Sequence, residues 1–104
     1  MLKNKWIPLA DIDDKMEIWK GNRFRQYNVG LNVTDKKQDY YEYMLTEIPG
    51  EKQFMLLTCV EGYKAGSALT YVKTVKDVNK FIIEGSEIKL SMGINDTYIL
   101  TNNV

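Results

Sequence analysis

Histidine is absent from this chain, cysteine occurs once and proline twice. The missing histidine removes the usual general base, proton shuttle and commonest metal ligand. Ser-His-Asp and Cys-His mechanisms are therefore excluded, and so is His-dependent ribonuclease chemistry. A structural zinc site draws on several Cys and His ligands, which the lone Cys59 cannot supply. Nor can a single cysteine pair within the chain, so the sequence points to a reducing compartment and to a fold that does not depend on oxidation.

Long apolar runs are missing too. No window approaches the roughly 20 consecutive apolar residues that span a bilayer. The opening stretch MLKNKWIPLADIDD is broken by Pro8 and runs into Asp11, Asp13 and Asp14, unlike a signal peptide. The C-terminus carries no lipidation signal. The expected setting is the cytoplasm, with no membrane partner.

Charge of one sign is also lacking. Fourteen basic and fourteen acidic residues cancel, so no overall field draws the chain to nucleic acid or anionic lipid. The distribution is uneven. Residues 1 to 37 carry net +3, residues 38 to 62 net −4 and residues 63 to 104 net +1. The middle of the chain is an acidic segment on a neutral protein.

At 104 residues the chain is expected to form one domain, spanning 1 to 104, with a core large enough to need no disulfide or metal. Periodicity gives its elements. Tyr27, Val29, Leu31 and Val33 alternate with polar residues, the period of a half-buried strand. Gly21-Asn22 lies just before it, so residues 16 to 33 read as a hairpin. The runs 40 to 48 and 53 to 60 flank Pro49-Gly50, a type II turn pair, and form a second hairpin. Phe54 to Val60 is apolar on both faces apart from Thr58, as in a strand covered on both sides.

Residues 68 to 73 are rich in extended-chain formers, although the same stretch could open a helix. Val75, Val78 and Ile82 recur at helical spacing, predicting a helix from about 75 to 84 that Gly85-Ser86 stops. Ile88, Leu90 and Met92 then alternate before the turn at 93 to 96 and the run Thr97 to Thr101, giving a third hairpin over 87 to 101. The whole is an α+β fold, with a mostly antiparallel sheet of about six to seven strands and one helix packed on it. An all-β sandwich or barrel is the alternative.

Several constellations carry chemistry only weakly. Cys59 sits in the most apolar strand, where burial opposes the thiolate. The loop 62 to 67 lacks the Lys-Ser/Thr pair of a phosphate-cradling loop. Asp11, Asp13, Asp14 and Glu17 lack the glycine and closing glutamate of an EF-hand, so no cofactor or metal is expected. Arg23 and Arg25 flank Phe24 and precede Tyr27, with Trp19 nearby. That mixture could stack on single-stranded nucleic acid or serve a small nuclease, but the neutral balance argues against it.

Three tyrosines and two acids crowd into Asp39 to Tyr43. Alternation sets Tyr41 and Tyr43 on one face and Tyr40 and Glu42 on the other. Amphipathic tyrosines anchor interfaces, and acids steer basic partners. The expected function is non-catalytic protein binding through Asp39, Tyr40, Tyr41, Glu42, Tyr43, Glu47 and Glu51. Within that class, the expectation is a small immunity or inhibitor protein that occludes the active site of a basic toxin, such as a nuclease. A small-molecule-binding β-rich domain is a further reading, and it would require an apolar cavity.

Overall fold

The computed structural model describes residues 3 to 27, 40 to 61, 66 to 74 and 82 to 103. Strand β1 (Lys3–Pro8) ends where Pro8 withholds a ladder donor and the chain tightens into a 3₁₀ turn, Leu9–Asp11. Then follow β2 (Glu17–Trp19), β3 (Arg23–Tyr27), β4 (Tyr40–Glu47), β5 (Phe54–Glu61), β6 (Ala68–Lys73), β7 (Ile82–Glu84), helix α1 (Gly85–Met92) and β8 (Thr97–Asn103). Six strands form one antiparallel sheet in the order β1-β8-β3-β4-β5-β6, and β2 pairs with β7 in a second, two-stranded sheet. This is an α+β fold, as the sequence predicts.

The central hairpin is the one expected. Glu51 N–H donates to the Ile48 carbonyl at 3.0 Å across Pro49-Gly50, and Gly50 takes φ 78°. Proline presets the second turn position and glycine accepts the left-handed third. On β5, Met55, Leu57 and Cys59 are buried while Leu56, Thr58 and Val60 are half-buried. The strand is therefore fully covered on one face only. Residues 68 to 73, left between strand and helix by their sequence, are a strand and occupy a sheet edge.

Two hairpins and the helix differ from expectation. The Gly21-Asn22 turn forms, with Gly21 at φ 95° and Asn22 N–H on the Trp19 carbonyl, but β2 and β3 do not pair. Gly21 N–H instead donates to the Leu45 carbonyl and Leu45 N–H to the Asn22 carbonyl. These bonds join the turn to β4 and send β2 away to β7. Residues 28 to 33 of the expected hairpin lie outside the described residues.

The helix expected at 75 to 84 is likewise not found at its C-terminal end, where Ile82–Glu84 are a strand; residues 75 to 81 lie outside the described residues. The helix occupies Gly85–Met92, so the hairpin expected over 87 to 101 is absent. Ile88 and Met92 satisfy both a period of two and a helical i, i+4 spacing. Only Leu90 separates the two readings, and it is 81% exposed, on the solvent side of the helix.

Gly85 begins the helix because nothing larger fits there: a Cβ would lie 2.5 Å from the Asp13 carbonyl oxygen. Gly85 N–H donates to the Met16 carbonyl and Ser86 N–H to the Asp14 carbonyl. Lys89 Nζ donates to the Ile12 carbonyl at 2.7 Å and to Asp14 Oδ1 at 2.8 Å. The helix is thus riveted to the segment between β1 and β2. The second half of the expected third hairpin does form a strand, but β8 inserts between β1 and β3, pairing Ile99 with both Ile7 and Phe24.

The core lies between the inner face of the large sheet and this small layer. Phe24, Tyr43, Leu45, Met55, Leu57, Cys59, Val72 and Ile99 cluster with Leu9, Ile12, Ile18, Ile83, Ile88 and Met92. Each fully buried aliphatic or phenyl side chain contributes about 1.5–3 kcal/mol of transfer free energy. Among the described residues no helix is long and apolar enough to cross a membrane.

Candidate binding surface

Antiparallel register decides what the opposite, outer face of the large sheet displays. Arg25 pairs with Glu42 on one side and Tyr98 on the other, and Tyr27 pairs with Tyr40. Trp6 pairs with Leu100 one strand further out. Because side chains alternate along each strand, residues from β1, β8, β3 and β4 meet there. The Arg25 guanidinium lies 4.3 Å from the Trp6 ring centroid and 4.4 Å from that of Tyr40. Tyr27 packs against Tyr40 at 5.3 Å and edge-on to Tyr98 at 5.7 Å. All of these side chains are half-buried.

Glu42 anchors the cluster. Its side chain is 4% exposed and accepts hydrogen bonds from Arg23 Nη1 at 2.6 Å and Arg25 Nε at 3.0 Å. Burial alone would lower the Arg25 pKa, but hydrogen bonds with Glu42 and Tyr27 and the charges around it hold it above its ordinary value. One carboxylate thus fixes two arginines, and the fixed guanidinium in turn spaces two aromatic rings.

Next to the cluster a cleft of about 250 Å³ is lined by Trp6, Tyr27, Tyr98 and Asp96. Asp96 stands at its rim in a left-handed conformation, φ 54°, and its carbonyl accepts the Tyr27 N–H at 3.0 Å. Further along the outer face, Tyr71 is 66% exposed and meets Phe54 edge-on at 6.3 Å.

The residues expected to bind a partner divide by position. Tyr40 joins the outer cluster. Glu42 shares that face but is buried under the two arginines, while Tyr43 is buried in the core. Burial raises the Tyr43 phenol pKa above its ordinary value, with a smaller contribution from Cys59. Tyr41 lies on the inner side, against the core and 6.4 Å from Tyr43. Glu47 pairs with Lys20 at 3.2 Å in solvent, and Glu51 accepts the Gln53 N–H within the turn. Asp39 lies outside the described residues. The sequence pattern put Arg25 and Tyr27 together correctly, but Trp19 is exposed on the small sheet and belongs elsewhere.

Trp6, Asp96 and Tyr98 have no counterpart in the sequence reading. Trp6 and Tyr98 come from strands β1 and β8 and Asp96 from the turn before β8, and the β1-β8-β3 order joins them. Other candidate chemistries find little support in geometry. Cys59 is buried with its thiol toward the Glu61 carbonyl. Asp13 accepts the Lys15 N–H and Asp14 pairs with Lys89. Among the described residues no group of three or more His, Cys, Asp or Glu side chains is placed to hold a metal ion. Of the loop 62 to 67, residues 62 to 65 lie outside the described residues. The chain matches no protein-family model, and comparison with curated proteins and with solved structures finds no similar protein.

Proposed function

We propose that this chain is a non-catalytic domain that binds a protein partner on the outer face of its large sheet, around Trp6, Arg25, Tyr27, Tyr40 and Tyr98. The observation that carries the proposal is the half-exposed aromatic cluster itself, held in place by the buried Glu42 and opening into a cleft. Aromatic and arginine side chains dominate the energetics of protein interfaces, because they desolvate a large area at low entropic cost. A cluster whose rotamers are already fixed loses little further freedom on binding.

Within this class the reading we favour is a small cytoplasmic immunity or inhibitor protein that covers the active site of a basic toxin. Glu47 and Glu51 lie at the far end of β4 from Tyr40, and their charge would steer such a partner at long range. The alternative in which Arg23 and Arg25 neutralise nucleic-acid phosphates is disfavoured, since both guanidinia already serve Glu42.

The test is affinity capture on the immobilised protein, comparing the wild type with Tyr98→Ala and with Leu90→Ser on the far side of the molecule. One stoichiometric protein retained by the wild type and Leu90→Ser but lost with Tyr98→Ala supports the proposal. Nucleic acid in the eluate, or equal retention by all three, contradicts it.

A further inference from the structure

We infer that the cleft beside the cluster is a cation site, and that it receives a basic side chain of the partner, an arginine guanidinium. This rests on the preceding proposal and gives the partner's anchor a chemistry. Among the described residues the lining consists of three aromatic residues, Trp6, Tyr27 and Tyr98, and one acidic residue, Asp96. Ring faces carry negative potential that attracts cations, most strongly for tryptophan. Asp96 lines the same cleft, and its negative charge disfavours anions and offers a counter-charge. The rings of this cluster already hold a guanidinium face-on, that of Arg25 at 4.3 Å from Trp6.

Arg25 itself is occupied. Its Nε is committed to Glu42, and it is not among the residues lining the cleft. The trio of Arg23, Arg25 and Glu42 keeps one net positive charge, and Asp96 is the acidic residue that offsets it among the described residues lining the cleft. A cleft of about 250 Å³ is large enough to admit one long side chain.

Asp96 adds backbone evidence of a kind useful to the test. Its φ of 54° is tolerated by Asp and Asn but strained for most residues. Asp96→Asn therefore removes the charge without disturbing the turn. Among the described residues, Arg23, Arg25 and Glu42 beside the site are linked to one another and remain unchanged in that variant.

The experiment uses the full chain carrying Trp19→Phe, so that Trp6 is the only tryptophan and reports from the cleft. N-acetyl-arginine amide, its uncharged isostere N-acetyl-citrulline amide and tetramethylammonium are titrated in turn. The expected result is a saturable change in Trp6 emission with arginine amide and tetramethylammonium. Citrulline amide should bind about tenfold more weakly, and Asp96→Asn should weaken arginine amide by a similar factor. No saturable change, equal binding of arginine and citrulline amides, or an unaffected Asp96→Asn variant would overturn the inference. If arginine amide fails while Tyr98→Ala still abolishes partner capture, only the cation site falls. If Tyr98→Ala leaves capture intact, the binding face itself is misassigned.

Discussion

Replacing Glu42 by glutamine removes the charge on which the outer cluster is built while keeping its shape. The carboxylate receives Arg23 at 2.6 Å on one oxygen and Arg25 at 3.0 Å on the other. A glutamine keeps one acceptor and turns an NH2 group toward the second guanidinium, so one charge-assisted bond is lost outright, about 1.5–3 kcal/mol. Breaking a fully buried ion pair costs about 3–5 kcal/mol. Here Arg23 is 45% and Arg25 26% exposed, so water recovers part of the loss. A destabilisation of about 2–3 kcal/mol is expected, or a fall in Tm of roughly 10–20 °C for a domain of this size.

Urea unfolding followed by tryptophan emission, together with a thermal melt, measures it. Glu47→Gln is the control. Its pair with Lys20 is open to solvent, and it should change stability by no more than about 0.5 kcal/mol. The Glu42→Gln loss should persist in about 1 M salt, because buried pairs are little screened. If Glu42→Gln costs no more than Glu47→Gln, Glu42 does not organise this face, and the account of the cluster is refuted.

Gly85→Ala should destabilise the fold by about 1–3 kcal/mol, since its methyl group would meet the Asp13 backbone and not a side chain that can move; an unchanged urea midpoint would contradict the docking of α1. Leu57→Ala should cost about 2–5 kcal/mol, whereas Leu90→Ala should stay within about 0.5 kcal/mol, and comparable losses would favour the strand reading of 88 to 92. The raised Tyr43 pKa means the folded state binds this proton more tightly than the unfolded chain. The stability it contributes is therefore complete below the ordinary value of 10.0 and is lost as pH rises from there through the folded pKa. Tyr43→Phe should remove that component from alkaline denaturation profiles, and identical pH dependence in both proteins would contradict it.

Much of the fold can be read from local signals. Pro49-Gly50 between two apolar runs dictates the β4–β5 hairpin, and the antiparallel α+β class follows from the succession of short strands. Where a residue pattern satisfies two periods at once, locality fails. Ile88 and Met92 fit helix and strand equally, and Gly85, which local pattern marks as a helix stop, is the helix start, closely packed against Asp13. Long-range pairing fails for a different reason. Nothing near Gly21-Asn22 reveals that Leu45 will take the turn's hydrogen bonds and part β2 from β3.

The candidate site shows the same division. The alternation of Tyr40 and Glu42 against Tyr41 and Tyr43 is visible in the sequence and holds in the structure. That Glu42 would be spent on Arg23 and Arg25 follows only from the β3–β4 register. Trp6 and Tyr98 reach the cluster through strands joined nearly a full chain length apart, a neighbourhood with no local trace.

The central claim is that the aromatic outer face of the large sheet is where a partner sits. A photoreactive phenylalanine analogue placed at position 98, and in a second protein at position 90 on exposed α1, tests it within the partner-bound complex. The account predicts an efficient crosslink to a single protein from position 98 and little or none from position 90. Crosslinking from position 90 alone would place the partner on the opposite side of the molecule and contradict it.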